Sequence, residues 1–356
     1  MKLENILECI LESVKKRYSE DICVMLIYGS FVNGSATDKS DLDLIYVPRT
    51  ERGNTLGRTF ILDGIGFDIW RADWERLEQF ARFDDMRVSI LADSRLVYYY
   101  SEHDRIRYES LRQQARDIEN GLLTPELLDK TRSHLCKAKE HFADLCLGNG
   151  FANVGRILYK ILDAVFLVNH TYLRFGIKKC VEELERLPEL PEKLADLFLA
   201  AAEAGSVKQA IERCADLIRT TEAFVNKKES GMKESEMKEF ENCHQEDAVD
   251  FTGLTGLYEE IASTWNKVRY SCGEKNSVTA CLAAASLSNE LMYVQQSIGK
   301  PSQSFSDFSN CAPSDFERLI KTANEAEKDF VSLLNEHQIP IRRYNLIDDL
   351  RKDLLR

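Results

Sequence analysis

The sequence predicts an α+β fold, a small mixed β-sheet followed by two all-α helical domains. Three observations carry this expectation. Short apolar runs punctuated by Gly and Asp fill the first 120 residues, helical spacing of apolar residues fills most of the remainder, and a densely charged stretch interrupts the helical part after residue 228. A chain of 356 residues is long for a single hydrophobic core, so two or three domains are expected. The shifts in composition divide it into a mixed domain over 1–120, a helical bundle over 121–228, a charged linker over 229–248 and a second helical domain over 249–356.

Leu3, Ile6, Leu7, Ile10, Leu11 and Val14 recur at helical spacing, so the chain opens with an amphipathic helix. The apolar run over 22–28 is a strand ending at Gly29-Ser30. A polar stretch containing Gly34 then leads into a second strand that carries Asp41 and Asp43. Residues 59–70 read as a hairpin, because Asp63-Gly64 suits a tight type I′ turn between apolar arms. Asp73 caps a helix to about residue 82, 96–100 is a strand, and a helix over 104–118 closes the first domain before Gly121 and Pro125.

Past Thr124, Leu127, Leu128, Leu135, Phe142 and Leu145 mark one long helix and 154–174 a second; helices joined by short loops imply an antiparallel bundle. Residues 227–247 have few large apolar side chains and read as a linker or a frayed solvated helix. Three further helices follow around Leu257–Val268, Val278–Val294 and Phe316–Leu334, with a Ser-rich loop over 301–313. Trp265 lies on an apolar stripe and belongs to the core, whereas Lys267, Arg269 and His337 read as surface residues.

The acids in the strands carry the chemistry. Side chains alternate across a strand, so Asp41 and Asp43 share one face while Leu42 and Leu44 point into a core. Paired carboxylates repel and are costly to bury without a counter-charge. The counter-charge suited to oxygen-only ligands is a hard divalent cation, Mg²⁺ above all. Gly29 lets a backbone approach a phosphate closely, and Ser30 offers a hydroxyl at the same corner. Asp68 stands alone between Phe67 and Ile69 and joins the pair if its hairpin arm lies beside the Asp41 segment. Two metals held about 3.5–4 Å apart by such a cluster activate an attacking hydroxyl and neutralise a leaving pyrophosphate.

The ordered set Gly29-Ser30, Asp41-Leu42-Asp43 and Asp68 resembles the nucleotidyltransferase superfamily that includes DNA polymerase beta. Within it, residues 20–110 look most like the bacterial minimal and antibiotic nucleotidyltransferases, such as those that adenylylate aminoglycosides. The resemblance implies that Gly29 and Ser30 hold a triphosphate, Asp41 and Asp43 bind two Mg²⁺ ions, and Asp68 binds the catalytic one. It further implies ATP as donor and a hydroxyl of a small molecule as acceptor. Ser40 also matches the pattern, and Asn33 departs from it where many members have Arg or Lys before the glycine aligned with Gly34. In the resembled antibiotic enzymes a helical bundle forms the acceptor side and sometimes supplies a catalytic Glu, for which Glu140 is a candidate. A protein acceptor and a nucleotide-binding sensor or scaffold are the alternatives. The Arg-x4-6-His motif of toxin partners is absent, since Arg132 and His141 lie too far apart.

A net charge of −12 and the lack of a basic run disfavour nucleic acid as a partner and are compatible with a polycationic small substrate. The ten cysteines are scattered without a Cys-x-x-Cys and read as reduced, and Cys243-His244 lacks further ligands at zinc spacing. With no signal peptide and no apolar run near membrane length, a cytoplasmic protein is expected.

Overall fold

The computed structural model describes residues 2–230, 254–299 and 301–356. Most of the charged linker, with Cys243 and His244, lies outside the described residues. The protein is a mixed α/β structure with six strands: β1 (Ile22–Ile27), β2 (Leu44–Pro48), β3 (Arg58–Leu62), β4 (Ile65–Arg71), β5 (Arg95–Tyr99) and β6 (Arg343–Tyr344). They form one sheet in the order β5-β1-β2-β4-β3-β6, antiparallel except for the parallel pairs β2/β4 and β3/β6. The β3–β4 turn has φ of 53° at Asp63 and 74° at Gly64, the left-handed pair that a type I′ turn requires.

The helices are α1 (Lys2–Arg17), α2 (Gly29–Asn33), α3 (Trp74–Ala81), α4 (Ser89–Ala92), α5 (Glu102–Glu119), α6 (Pro125–Cys146), α7 (Ala152–Val168), α8 (Cys180–Glu185), α9 (Leu194–Ala202), α10 (Val207–Ser230), α11 (Leu257–Gly273), α12 (Ser277–Ile298), α13 (Gln303–Ser309), α14 (Phe316–Glu336) and α15 (Ile347–Leu354). Local signals start several of them. The Asp73 carboxylate accepts from the Arg76 amide at 2.7 Å at the start of α3. Thr124 caps α6, with Pro125 in its first turn.

Alternation along the strands gives the sheet two different faces. Leu44, Tyr46, Phe67 and Ile69 turn to one face, under α1 and α15. Ile45 and Val47 turn to the other, where α3, α4 and α5 cover the β5-β1-β2 end. On that second face α11 lies across β3 and β4, and Gly66 makes the close approach possible: a Cβ there would sit 2.1 Å from the Glu259 carbonyl oxygen. Asn266 Nδ2 fixes the same helix by donating to the Gly64 carbonyl at 3.2 Å. Between the two helical covers a strip of this face is left, and it carries the acids.

Several elements differ from the sequence expectation. The helix expected over 154–174 ends at Val168, because the Asn169 side chain donates to the carbonyls of Val165 and Glu189, both at 2.9 Å, and His170 turns to φ 43°. The Ser-rich loop contains α13, held by buried Phe305 and Phe308. The two helical units share a core across α7 and α12, whose contact is so close that a Cβ on Gly155 would lie 2.6 Å from the Cys281 carbonyl oxygen. Residues 343–354 complete the sheet domain instead of ending a separate helical one. There β6 pairs with β3, and Leu350 and Leu354 are buried against α1. Trp265 is buried, as its stripe predicts. Most described cysteines are buried too. No helix among the described residues is long and apolar enough to cross a membrane.

Candidate active site

The site is built from the ends of β1, β2 and β4. The ladder pairs Leu44 with Ile69 in parallel register, so one residue earlier Asp43 lies beside Asp68. Both have the parity of Ile45 and Trp70, which places their side chains on the partly covered face, and Asp41 follows two residues upstream of Asp43. Regular β2 begins only at Leu44, so Asp41 and Asp43 lie on the extended segment entering the strand and not within it. Leu42 between them is buried in the opposite face.

Gly29 shapes the corner. Its φ is 67°, and a Cβ built on it would stand 2.1 Å from Asp43 Oδ2, so this position needs glycine twice over. The Ser30 amide donates to the Asp43 carboxylate. Burial, then the charge of Asp41, push the Asp43 carboxyl up to about 7, while Lys267 and the Ser30 amide act against that rise. Burial, then Glu260, push Asp68 up to about 7. The Tyr28 hydroxyl is pushed far up by burial, then by the charges of Asp43, Asp68 and Asp41.

The helical side supplies groups that the sequence reading missed. Glu260 and Lys267 are seven residues, close to two turns, apart on α11, and so share a side of that helix. Glu260 bears on Asp68 and on Glu290 of α12, and burial raises both glutamates above the usual carboxylate range. The charge of Lys267 reaches Asp43, and Lys178, on the short turn Ile177–Lys179, has its ammonium pushed down by burial and by Lys267 against the pull of Asp41. Lys267 is half-buried and its charge reaches Asp43, so it is more than the plain surface residue expected. Arg269 is likewise no bare surface cation, being paired with Glu327. Only the seven-residue spacing hinted at Glu260 and Lys267, and a spacing does not tell which side of a helix meets a sheet.

Two expected residues do not join the group. The Ser40 hydroxyl accepts from the Thr37 amide at 2.9 Å and closes the 37–40 turn, where it lines a separate cavity of about 310 Å³ with Lys2, Leu3 and Phe31. Glu140, on α6, stands by Cys136 Sγ at 3.9 Å and by His141. Asn33, where the resemblance led one to look for a cation, accepts from the Ser35 amide and hydroxyl and shapes the loop.

The donor set fits Mg²⁺ in chemistry: half-buried carboxylate oxygens that form no ion pair with any described residue. It is not a finished cage, since no three His, Cys, Asp or Glu side chains among the described residues converge as a metal site. Mg²⁺ is commonly held by one or two carboxylates with substrate phosphates completing the octahedron, which this arrangement suits. No family model matches the chain, and no curated protein sequence does.

Proposed function

We propose that this protein is a Mg²⁺-dependent nucleotidyltransferase that moves a nucleoside monophosphate, AMP from ATP, onto a hydroxyl of a small molecule and releases pyrophosphate. The observation that carries the reading is the parallel register that sets Asp43 beside Asp68 on one face, next to the Gly29 corner. Divalent cations bound at Asp41, Asp43 and Asp68 would supply charge neutralisation at the reacting phosphate. The chain's own residues do the rest. Gly29 keeps the corner free of side chain, and the Ser30 hydroxyl is available to a phosphate oxygen. Asp68, beside Asp43 on the same face, is the carboxylate placed to take the proton of an acceptor hydroxyl. The acids Glu260 and Glu290, which form no ion pair with any described residue, favour an acceptor that carries amines, such as an aminoglycoside.

A pyrophosphate-release screen tests this, with ATP, GTP, CTP and UTP against aminoglycosides and lincosamides. Release should depend on both donor and acceptor, and Asp43→Asn should lower it by about 10²-fold or more with the fold intact. Undiminished release from that variant would refute the assignment.

A further inference from the structure

A cavity of about 610 Å³ opens at the C-terminal ends of β2 and β4, where Pro48, Trp70 and Ala72 meet the start of α3. It is distinct from the corner that holds the acids. Asp43 enters β2 and Pro48 ends it, so at about 3.3 Å per residue the two stand about 16 Å apart. Its volume lies within the range of small-molecule sites, about 300–1,000 Å³.

Most polar side chains on its wall are already engaged. Asp73 Oδ1 accepts from the Arg76 amide at 2.7 Å, and Arg76 Nη1 donates to Gln79 Oε1 at 2.7 Å while Nη2 pairs with Asp85. Asn54 Nδ2 donates to Glu51 at 2.9 Å. The charged exceptions are Arg71 and Glu75. They line the same cavity four residues apart, with opposite charge and long flexible side chains, and neither side chain forms an ion pair or hydrogen bond with any described residue. Nearby partners of similar exposure do close: Arg82 reaches Asp84 at 2.9 Å and Arg107 reaches Glu78 at 2.9 Å.

Trp70 supplies the apolar wall. Its ring is held from the inside by Phe80, 6.4 Å away between ring centres, and by the Arg87 guanidinium at 5.5 Å, and the rest of it lines the cavity. An unpaired guanidinium, an unpaired carboxylate and an indole on one cavity complement a small zwitterion with an apolar body. Its carboxylate meets Arg71, its ammonium meets Glu75 and its body packs on Trp70. A ligand with a single charge leaves one of the two wall groups unanswered. We infer that this cavity is a binding site for a free α-amino acid with an apolar side chain. The inference goes beyond the nucleotidyltransferase reading and does not depend on it.

Titration calorimetry of the full chain against the common free L-amino acids tests it. At least one with an apolar side chain should bind, and its decarboxylated amine and its deaminated acid should each bind about ten-fold more weakly or worse. Arg71→Met and Glu75→Gln should each weaken the amino acid about ten-fold, the loss of one charge-assisted hydrogen bond. Arg71→Met should leave the affinity of the amine unchanged, and Glu75→Gln that of the acid. Both side chains are exposed, so neither substitution threatens the fold, and Mg-ATP binding at the strand acids should not move in either variant. If no amino acid binds, if the single-charge analogues bind as tightly as the amino acid, or if both variants bind it like the parent chain, the cavity is not such a site.

Discussion

Asp68 sets a conflict between folding and chemistry. Burial and Glu260 raise its carboxyl from the ordinary 3.8 to about 7, so the folded chain holds a proton that the unfolded chain releases near pH 4. More protons on the folded state means that stability falls as pH rises, through the window from about 4 to 7, and stays low above it. Asp68→Asn removes the charge that causes the loss. In urea denaturation without divalent cations, the variant should gain about 1–2 kcal/mol at pH 8 and little at pH 4. An equal effect at both pH values would mean that the carboxyl is solvated. At this scale the sequence was informative about placement: Gly29, Ser30, Asp43 and Asp68 stand at one corner of the sheet with Asp41 just upstream, and the Gly29 φ of 67° is what a glycine at that turn suggests. It was silent on Glu260, Lys267 and Lys178, whose charges reach the acids only through the tertiary fold.

Among the elements, α11 decides what faces the sheet. Its approach to β4 depends on a residue with no side chain, since a Cβ on Gly66 would meet the Glu259 carbonyl oxygen at 2.1 Å and the Ala262 Cβ at 3.0 Å. A backbone oxygen cannot rotate aside, so Gly66→Val must lift the helix. The expected cost is about 2 kcal/mol or more in thermal or urea unfolding, the range of over-packed cores. Because Glu260, whose charge bears on Asp68, rides on the same helix, the variant should also lose acceptor-dependent pyrophosphate release while keeping ATP binding at the strand acids. A variant as stable as the parent, with unchanged acceptor-dependent release, would show that α11 does not bear on the site. The elements legible in advance were those whose signals are local: the Asp63-Gly64 hairpin, the Asp73 cap and the long periodic helices. The illegible ones depend on tertiary partners. The strand β6 is two residues long, too short for any alternation to register, and α13 is defined by where Phe305 and Phe308 find cover.

For the whole molecule, the consequential feature is that the last residues of the chain return to the first. Composition divides the chain at the charged stretch, and nothing local in 343–354 marks it as part of the sheet domain. The structure joins the two ends at several points. Ser13 Oγ donates to the Leu354 carbonyl at 2.7 Å, Arg58 pairs with Asp353 at 2.9 Å, and β6 covers the edge of β3. Leu350 and Leu354 are fully buried there, and burying a leucine contributes about 1.5–3 kcal/mol. Removing both therefore costs about 3–6 kcal/mol, a large part of the 5–15 kcal/mol, roughly, by which domains of this kind are stable. A chain ending at residue 340 should accordingly unfold its sheet domain at lower temperature and expose α1 and the β3 edge to proteolysis. A synthetic peptide spanning 341–356 should restore the melting profile, because the loss is of contacts and not of the capacity to fold. If the shortened chain melts like the parent, the sheet domain is self-sufficient and the returning tail is ornament. If the peptide rescues it, the acids on the sheet and the helices facing them are held together by the covalent path on one side and by this closing strand on the other.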